Sequence, residues 1–424
     1  MIRNIICSDR LGEQYTEINH PSGLKMLLYP MKGYGSAYAC FATKYGSIDN
    51  CFKTQNDTDF AKVPEGIAHF LEHKMFENED GIDTFARYAE TGASPNAYTT
   101  FDHTAYYFSC TEKFEENLEI LLDFVSKPYF TEQTVQKEQG IIGQEIQMYM
   151  DRPDWRVVLN LLIAVYHNNP VRVDTVGTIE SISRINEDIL YRCYNTFYNL
   201  HNMVLVVSGN FEIDAVLRVA DRLLKTAPEM LIDRFIHEEP DSVNQAYIQQ
   251  RLTVAQPLFQ LGFKVLPAST EKESLLNQIQ DEVLLDVIAG ESTSLYRRMY
   301  DTGLVNAEFG TETMAGRGYC VNIFAGESRE PKKVQEEIIR EIEQIKRTGI
   351  DPVVFSRAKK AAYGRYVGML DKVSTVSDLM LLTQFSGAKA FDLLEMSAGL
   401  TLEELQQRLK LLDFDRCALS VVCS

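Results

Sequence analysis

The chain has 424 residues, 45% hydrophobic and 24% charged, ordinary proportions for a globular protein and enough length for two or more domains. Its net charge of −18 argues against a nucleic-acid partner; the acids are spread along the chain, as on an ordinarily soluble surface or one that draws in basic peptides. No apolar stretch is long enough to span a membrane, since the longest run, Val158 to Tyr166, is interrupted by Asn160 and reads as a buried helix.

In chain order, the opening residues Met1 to Arg10 lack the basic-then-apolar layout of a secretory signal, and they are not an Arg- and Ser-rich transit peptide. The eight cysteines are scattered and form no C-x-x-C pair. They read as buried small hydrophobes in a reducing compartment, which points to the cytoplasm. Ala37 to Ile48 has a strand pattern. Pro64-Glu65-Gly66 then looks like a helix start.

Inside that helix lies His69-Phe70-Leu71-Glu72-His73, an H-x-x-E-H pattern. Positions i, i+3 and i+4 of a helix share one face, so His69, Glu72 and His73 point at the same volume. Two neutral imidazoles make a clamp for zinc, and the carboxylate reaches the open coordination position. This order, the reverse of H-E-x-x-H, marks the inverzincins.

Thr131 to Met150 reads as a long helix. Glu138 and Glu145 are seven apart and lie on one face, two turns from each other. Ile141 and Ile142 fall between them, so that face is expected to be largely buried. Acids are rarely buried without partners. A metal would account for one and a supporting role for the other; alternatively one or both flank a solvated stripe with Glu132 and Lys137. Spacing alone leaves these readings open.

The remaining elements suggest a diverged repeat of about 215 residues. Met203 to Gly209 and Ala418 to Ser424 each follow a helix and read as buried strands. Leu258 to Val265 matches Ala37 to Ile48, Leu304 to Phe324 matches Tyr98 to Cys110, and Pro352 to Met369 matches Thr131 to Met150. The proline- and charge-rich stretch at 226–245 reads as an exposed linker. The expected domains are therefore 1–225 and 246–424. The expected class is α+β with mostly antiparallel sheets. Leu284 to Tyr300, in the second half, has no histidine, so one metal site per chain is expected.

The chain resembles the insulinase (pitrilysin) family, which includes the mitochondrial processing peptidase. The resemblance rests on H-F-L-E-H-K-M-F-E (69–77), G-A-S-P-N-A-Y-T-T (92–100), D-H-T-A-Y-Y (102–107), the Glu138/Glu145 pair and P-V-R-V-D-T-V-G-T (170–178). It implies zinc held by His69, His73 and Glu145, with Glu138 supporting the site from outside. It implies Glu72 as general base, and Asn96 and Ala97 on an edge strand that lines the substrate. It also implies two homologous α+β domains, each a sheet covered on one face by helices. Four such domains enclose a chamber, so this chain would form half of one.

One departure matters. Active relatives carry in the second repeat an Arg followed seven residues later by a Tyr, which grip the substrate carbonyl. The matching stretch here is Met299-Tyr-Asp-Thr-Gly-Leu-Val-Asn306; Met and Asn stand in for Arg and Tyr, with Arg298 and Tyr300 as nearby substitutes. The resemblance is closest to the zinc-bearing subunits of paired bacterial members. The expectation is a zinc endopeptidase subunit that cleaves unfolded peptides, as a heterodimer with a related chain bearing the Arg/Tyr pair. The alternative is a catalytically silent peptide-binding or assembly subunit. A silent subunit has no need of two His and two Glu at these positions.

Overall fold

Apolar runs become central strands and amphipathic stretches become the helices that cover them. The computed structural model describes residues 2–424. Its strands are β1 (Ile2–Ser8), β2 (Glu13–Asn19), β3 (Lys25–Pro30), β4 (Ala37–Thr43), β5 (Cys51–Thr54), β6 (Ala61–Lys62), β7 (Ser94–Thr99) and β8 (Thr104–Cys110). They continue with β9 (Met203–Gly209), β10 (Ile232–Arg234), β11 (Tyr247–Arg251), β12 (Leu258–Lys264), β13 (Gly310–Gly316), β14 (Tyr319–Glu327) and β15 (Cys417–Cys423). The helices begin with α1 (Ile67–Lys74), α2 (Thr84–Thr91), α3 (Phe114–Val125), α4 (Glu132–Met150), α5 (Pro153–Val165), α6 (Ile179–Ile182), α7 (Glu187–Phe197) and α8 (Ile213–Leu223). Then come α9 (Glu271–Ala289), α10 (Ser294–Asp301), α11 (Pro331–Thr348), α12 (Pro352–Gly368), α13 (Val373–Phe385), α14 (Asp392–Gly399) and α15 (Leu402–Lys410).

Two units result. The first contains a seven-stranded sheet in the order β1-β2-β3-β9-β4-β8-β7 and a small sheet β10-β5-β6. The second contains a five-stranded sheet in the order β11-β15-β12-β14-β13. The five strands β3-β9-β4-β8-β7 and the five strands β11-β15-β12-β14-β13 have the same pairing pattern. In each, the first pair is parallel and the rest are antiparallel. The repeat inferred from the sequence is thus a repeat of topology, and the fold is α+β in both halves. Strands β4 and β9 are buried along their whole length, as expected of near-continuous apolar runs in mid-sheet.

The units do not follow the expected division at 1–225 and 246–424. Residues 147–173, with α5, belong to the second unit, and residues 369–385, with α13, belong to the first. Each half contributes the helix after its long helix to the other half's sheet. In the second unit α5 packs on β12, where Gly262 leaves room for Leu161; a Cβ there would meet both Leu161 methyls at 3.0 Å. In the first unit α13 packs on β4 and β9, and Ser208 Oγ donates to the Val373 carbonyl at 2.6 Å. The expectation of helices on one face holds for α2 and α3, whose Tyr88 and Phe124 meet Phe108 and Tyr106 of β8. Helix α13 is an exception in the first unit, as α5 is in the second. Helix α13 lies on the opposite face, that of Ser208, which pairs with Tyr38 across the ladder.

The 226–245 stretch is exposed or half-exposed along its whole length, as its composition suggests, but it is tied down at several points. Ile232–Arg234 pairs with β5, and Arg234 Nε lies 2.9 Å from Asp49 Oδ1. Glu239 accepts the backbone N–H groups of His167, Asn168 and Asn169 at 2.8, 2.7 and 2.8 Å and pairs with the buried Lys264 at 2.6 Å. Its charges look solvated in the sequence because their partners are distant along the chain. All eight cysteines are free. Among the described residues no helix is long and apolar enough to cross a membrane.

Candidate metal centre

Helix α1 starts at a fixed point. Its N-cap, Gly66, has φ 85°, and a Cβ there would sit 2.6 Å from the Val176 carbonyl oxygen. Gly177 has φ 76°, and a Cβ there would meet the Glu65 carbonyl oxygen at 2.6 Å. Only glycine fits this close approach of two backbones. Ser181 Oγ also donates to the Glu65 carbonyl, at 2.8 Å. The 170–178 motif therefore fixes where α1 begins and where its side chains point.

From that start, Ile67, Phe70 and Leu71 go into the core. His69, Glu72 and His73 share another face, and His69 and Glu72 are buried. Helix α4 supplies the opposing carboxylates. Glu138 and Ile142 are buried, but Ile141 is 44% exposed. The buried face of α4 is accordingly narrower than the sequence suggested: it follows 135, 138, 142 and 146, and Ile141 lies outside it.

His69 Nε2 lies 3.7 Å and His73 Nε2 3.5 Å from Glu145 Oε2. The donor atoms of these three residues all fall within 4.8 Å of one another. Ligands on a tetrahedral zinc with bonds of about 2.0–2.1 Å stand roughly 3.3–3.4 Å apart, so the set fits zinc with little adjustment. Glu72 is not part of this group. His73 Nδ1 is 2.9 Å from Glu138 Oε1, a contact that fixes the ring and turns Nε2 toward Glu145. His69 Nδ1 is buried without a hydrogen-bond partner, so the polar contact of that ring is at Nε2.

The two imidazoles are pulled in opposite directions. Burial, helped by His73, lowers the pKa of His69 to about 3, so its lone pair is available at neutral pH. Burial also lowers that of His73, but the hydrogen bond to Glu138 and the charges of Glu72, Glu138 and Glu145 outweigh it and the net shift is upward. Burial raises the pKa of Glu72; a Thr99 hydrogen bond and His73 oppose this, and Glu145 adds to it.

Asn96 and Ala97 lie on β7, the edge strand of the large sheet. The Ala97 N–H donates to Asn96 Oδ1 at 2.9 Å. Sequence reasoning missed Thr99, whose Oγ1 donates to Glu72 Oε2 at 2.6 Å. Its only signal was strand alternation, which puts Thr99 on the same face as Ala97. In the second unit Met299 is fully buried, and Asn306 Nδ2 donates to Glu327 Oε2 at 2.7 Å. Arg298 is held by Glu337 and Glu341 at 3.5 and 3.1 Å, and Tyr300 stacks on Tyr296 at 5.8 Å.

Comparisons with known proteins also distinguish the two halves. Residues 61–179 match the family model described as insulinase (peptidase family M16), and residues 184–362 match the peptidase M16 inactive domain. A zinc protease of Bacillus subtilis, YmfH, is 37% identical over 404 residues, covering 94% of each chain. The mitochondrial-processing peptidase subunit beta of Caenorhabditis elegans is 33% identical over 162 residues, 37% of this chain and 35% of that protein. The crystal structure of an M16-like peptidase from Alicyclobacillus acidocaldarius superposes with a TM-score of 0.92 at 36% identity, covering 96% of this chain and 98% of the other. With both halves matched and a relative this similar over nearly its whole length, the chain belongs to the insulinase (peptidase M16) family.

Proposed function

We propose that the protein is the zinc-bearing subunit of a two-chain endopeptidase that cleaves unfolded peptides inside a chamber. The observation that carries this reading is the convergence of His69, His73 and Glu145 with Glu72 beside them but outside the ligand set. When bound, zinc supplies Lewis acidity, polarising a carbonyl and lowering the pKa of water. His69 offers a neutral Nε2 atom, His73 offers its Nε2 once any proton there is displaced, and Glu145 offers an anionic oxygen. Glu138 keeps His73 in the tautomer that presents Nε2. Glu72, its pKa raised by burial, takes the proton of the attacking water and hands it to the leaving amine. The β7 edge accepts the substrate as an added strand at Asn96 and Ala97. That mode requires an extended segment, so folded proteins are poor substrates.

The partner follows from what the second unit lacks. Met299 and Asn306 cannot supply a charged or phenolic donor to an oxyanion, and the carboxylates of α11 already engage Arg298. A related chain with Arg and Tyr at these positions would complete the site; one relative, the Caenorhabditis elegans protein, is itself named as a subunit. The test is peptide hydrolysis by this chain, by such a partner and by the mixture. The mixture is expected to exceed either chain alone by roughly 10²–10³-fold. Equal turnover by this chain alone would rule out the composite site and turn attention to Arg298 and Tyr300.

A further inference from the structure

The hydrogen bond between the edge strand and Glu72 has a role beyond packing. Glu72 is buried and is not one of the clustered metal donors, so the ligand geometry does not hold its carboxylate. Among the described residues the hydrogen bond its side chain receives comes from Thr99, at 2.6 Å. A hydroxyl has a single proton to donate, and here Glu72 Oε2 takes it. Thr99 is held in turn. It stands opposite Thr104 in the β7–β8 ladder, with the two hydroxyl oxygens 3.3 Å apart. Thr104 is fully buried, and its Oγ1 is 2.9 Å from the Tyr45 carbonyl. Branching at Cβ restricts Thr99 to few χ1 rotamers.

We propose that Thr99 is a positioning residue for Glu72: its hydroxyl ties down one carboxylate oxygen and leaves the other free to receive the proton from water. This rests on the peptidase reading and deepens it. Thr99 also belongs to the strand on which the substrate would add. A peptide that pairs with β7 therefore stiffens the element that aligns the base, and strand docking and proton transfer are linked through one side chain. The role is orientation, so its loss falls on the chemical step and not on substrate binding.

The test compares zinc-loaded wild type, Thr99→Val and Thr99→Ser, each mixed with the Arg/Tyr-bearing partner if hydrolysis requires it. Valine keeps the shape and strand preference of threonine and removes only the hydroxyl. Thr99→Val is expected to lower kcat about 10- to 100-fold, the scale on which misplacing a reacting group acts. KM, zinc affinity and the melting transition should stay near wild type. Thr99→Ser should recover most of the loss. A crystal structure of zinc-loaded Thr99→Val should show the Glu72 carboxylate displaced while His69, His73 and Glu145 keep their places. Unchanged kcat in Thr99→Val, or a Thr99→Ser variant as slow as Thr99→Val, would overturn the proposal. If the wild type hydrolyses no peptide with any partner, the peptidase reading fails by itself. The crystal structure then decides the positioning role, and an unmoved Glu72 in Thr99→Val overturns it.

Discussion

The two units share a strand order and differ in what their long helices present. In the first, α4 sets Glu145 against two imidazoles at 3.5 and 3.7 Å. In the second, α12 sets Arg365 against Asp286 of α9 at 2.7 Å, and Tyr366 bonds Glu282 of the same helix. Glu282, Asp286 and Arg365 line a cleft of about 700 Å³ whose lining includes β13, the counterpart of β7. Arg365, Asp286 and Glu282 find their partners within the protein, while burial alone raises the pKa of Glu312 in the same cleft. The first unit instead brings together two imidazoles and a carboxylate, and the surrounding carboxylates favour positive charge at His73. Such a group is unfavourable unless a proton or a metal cation joins it. One fold thus gives a cleft with an internal ion pair in one half and a cluster of two imidazoles and a carboxylate in the other, and few side chains make the difference.

The comparison breaks most visibly at Glu72. Glu72→Gln should keep zinc yet lose roughly 10²–10⁴-fold in peptide hydrolysis, measured by steady-state kinetics alongside metal analysis. Near-normal turnover would mean that the base is elsewhere. The next effect is on the ligand support. Glu138→Gln weakens the hold on His73 and should lower zinc affinity by about 10–100-fold, read by competition with a chelator. Asp286→Asn in the second unit should leave zinc affinity unchanged; if it lowered affinity as much as Glu138→Gln, the two clefts would not be independent. The smallest effect is expected at the strand edge. Ala97→Pro removes the N–H that now bonds Asn96, at a position where an edge strand tolerates proline. It should slow peptide cleavage several-fold without releasing zinc, and loss of metal would show that the strand had been disrupted.

The clustering of His69, His73 and Glu145 was legible because its two halves are local and periodic. His69, Glu72 and His73 sit at helical spacing, and Glu138 and Glu145 do too, so each face could be read before knowing what it meets. The repeat was legible from strands such as Met203–Gly209 and Cys417–Cys423, whose apolar runs are hard to mistake. The exchange of α5 and α13 was not. An amphipathic helix declares which of its faces is buried, but nothing in its sequence names the sheet that buries it. Likewise Lys264 and Glu239 are 25 positions apart, and a charge in a proline-rich stretch gives no sign of such a partner. Ile141 was misjudged for a simpler reason: it falls between the two glutamates in sequence but off the buried stripe of the helix. Thr99 has no signal of its own, since a threonine in a strand is ordinary; only the Glu72 contact gives it meaning.

Zinc stoichiometry is the most direct measurement on the central claim. Purified wild-type protein, His73→Ala and Glu145→Gln are analysed for metal by elemental spectrometry, with circular dichroism to verify that each is folded. One zinc per chain is expected in the wild type, removable by a chelator, with a large loss of zinc in both folded variants. Full zinc occupancy in both variants would contradict it, because the metal would then be held by residues other than His69, His73 and Glu145.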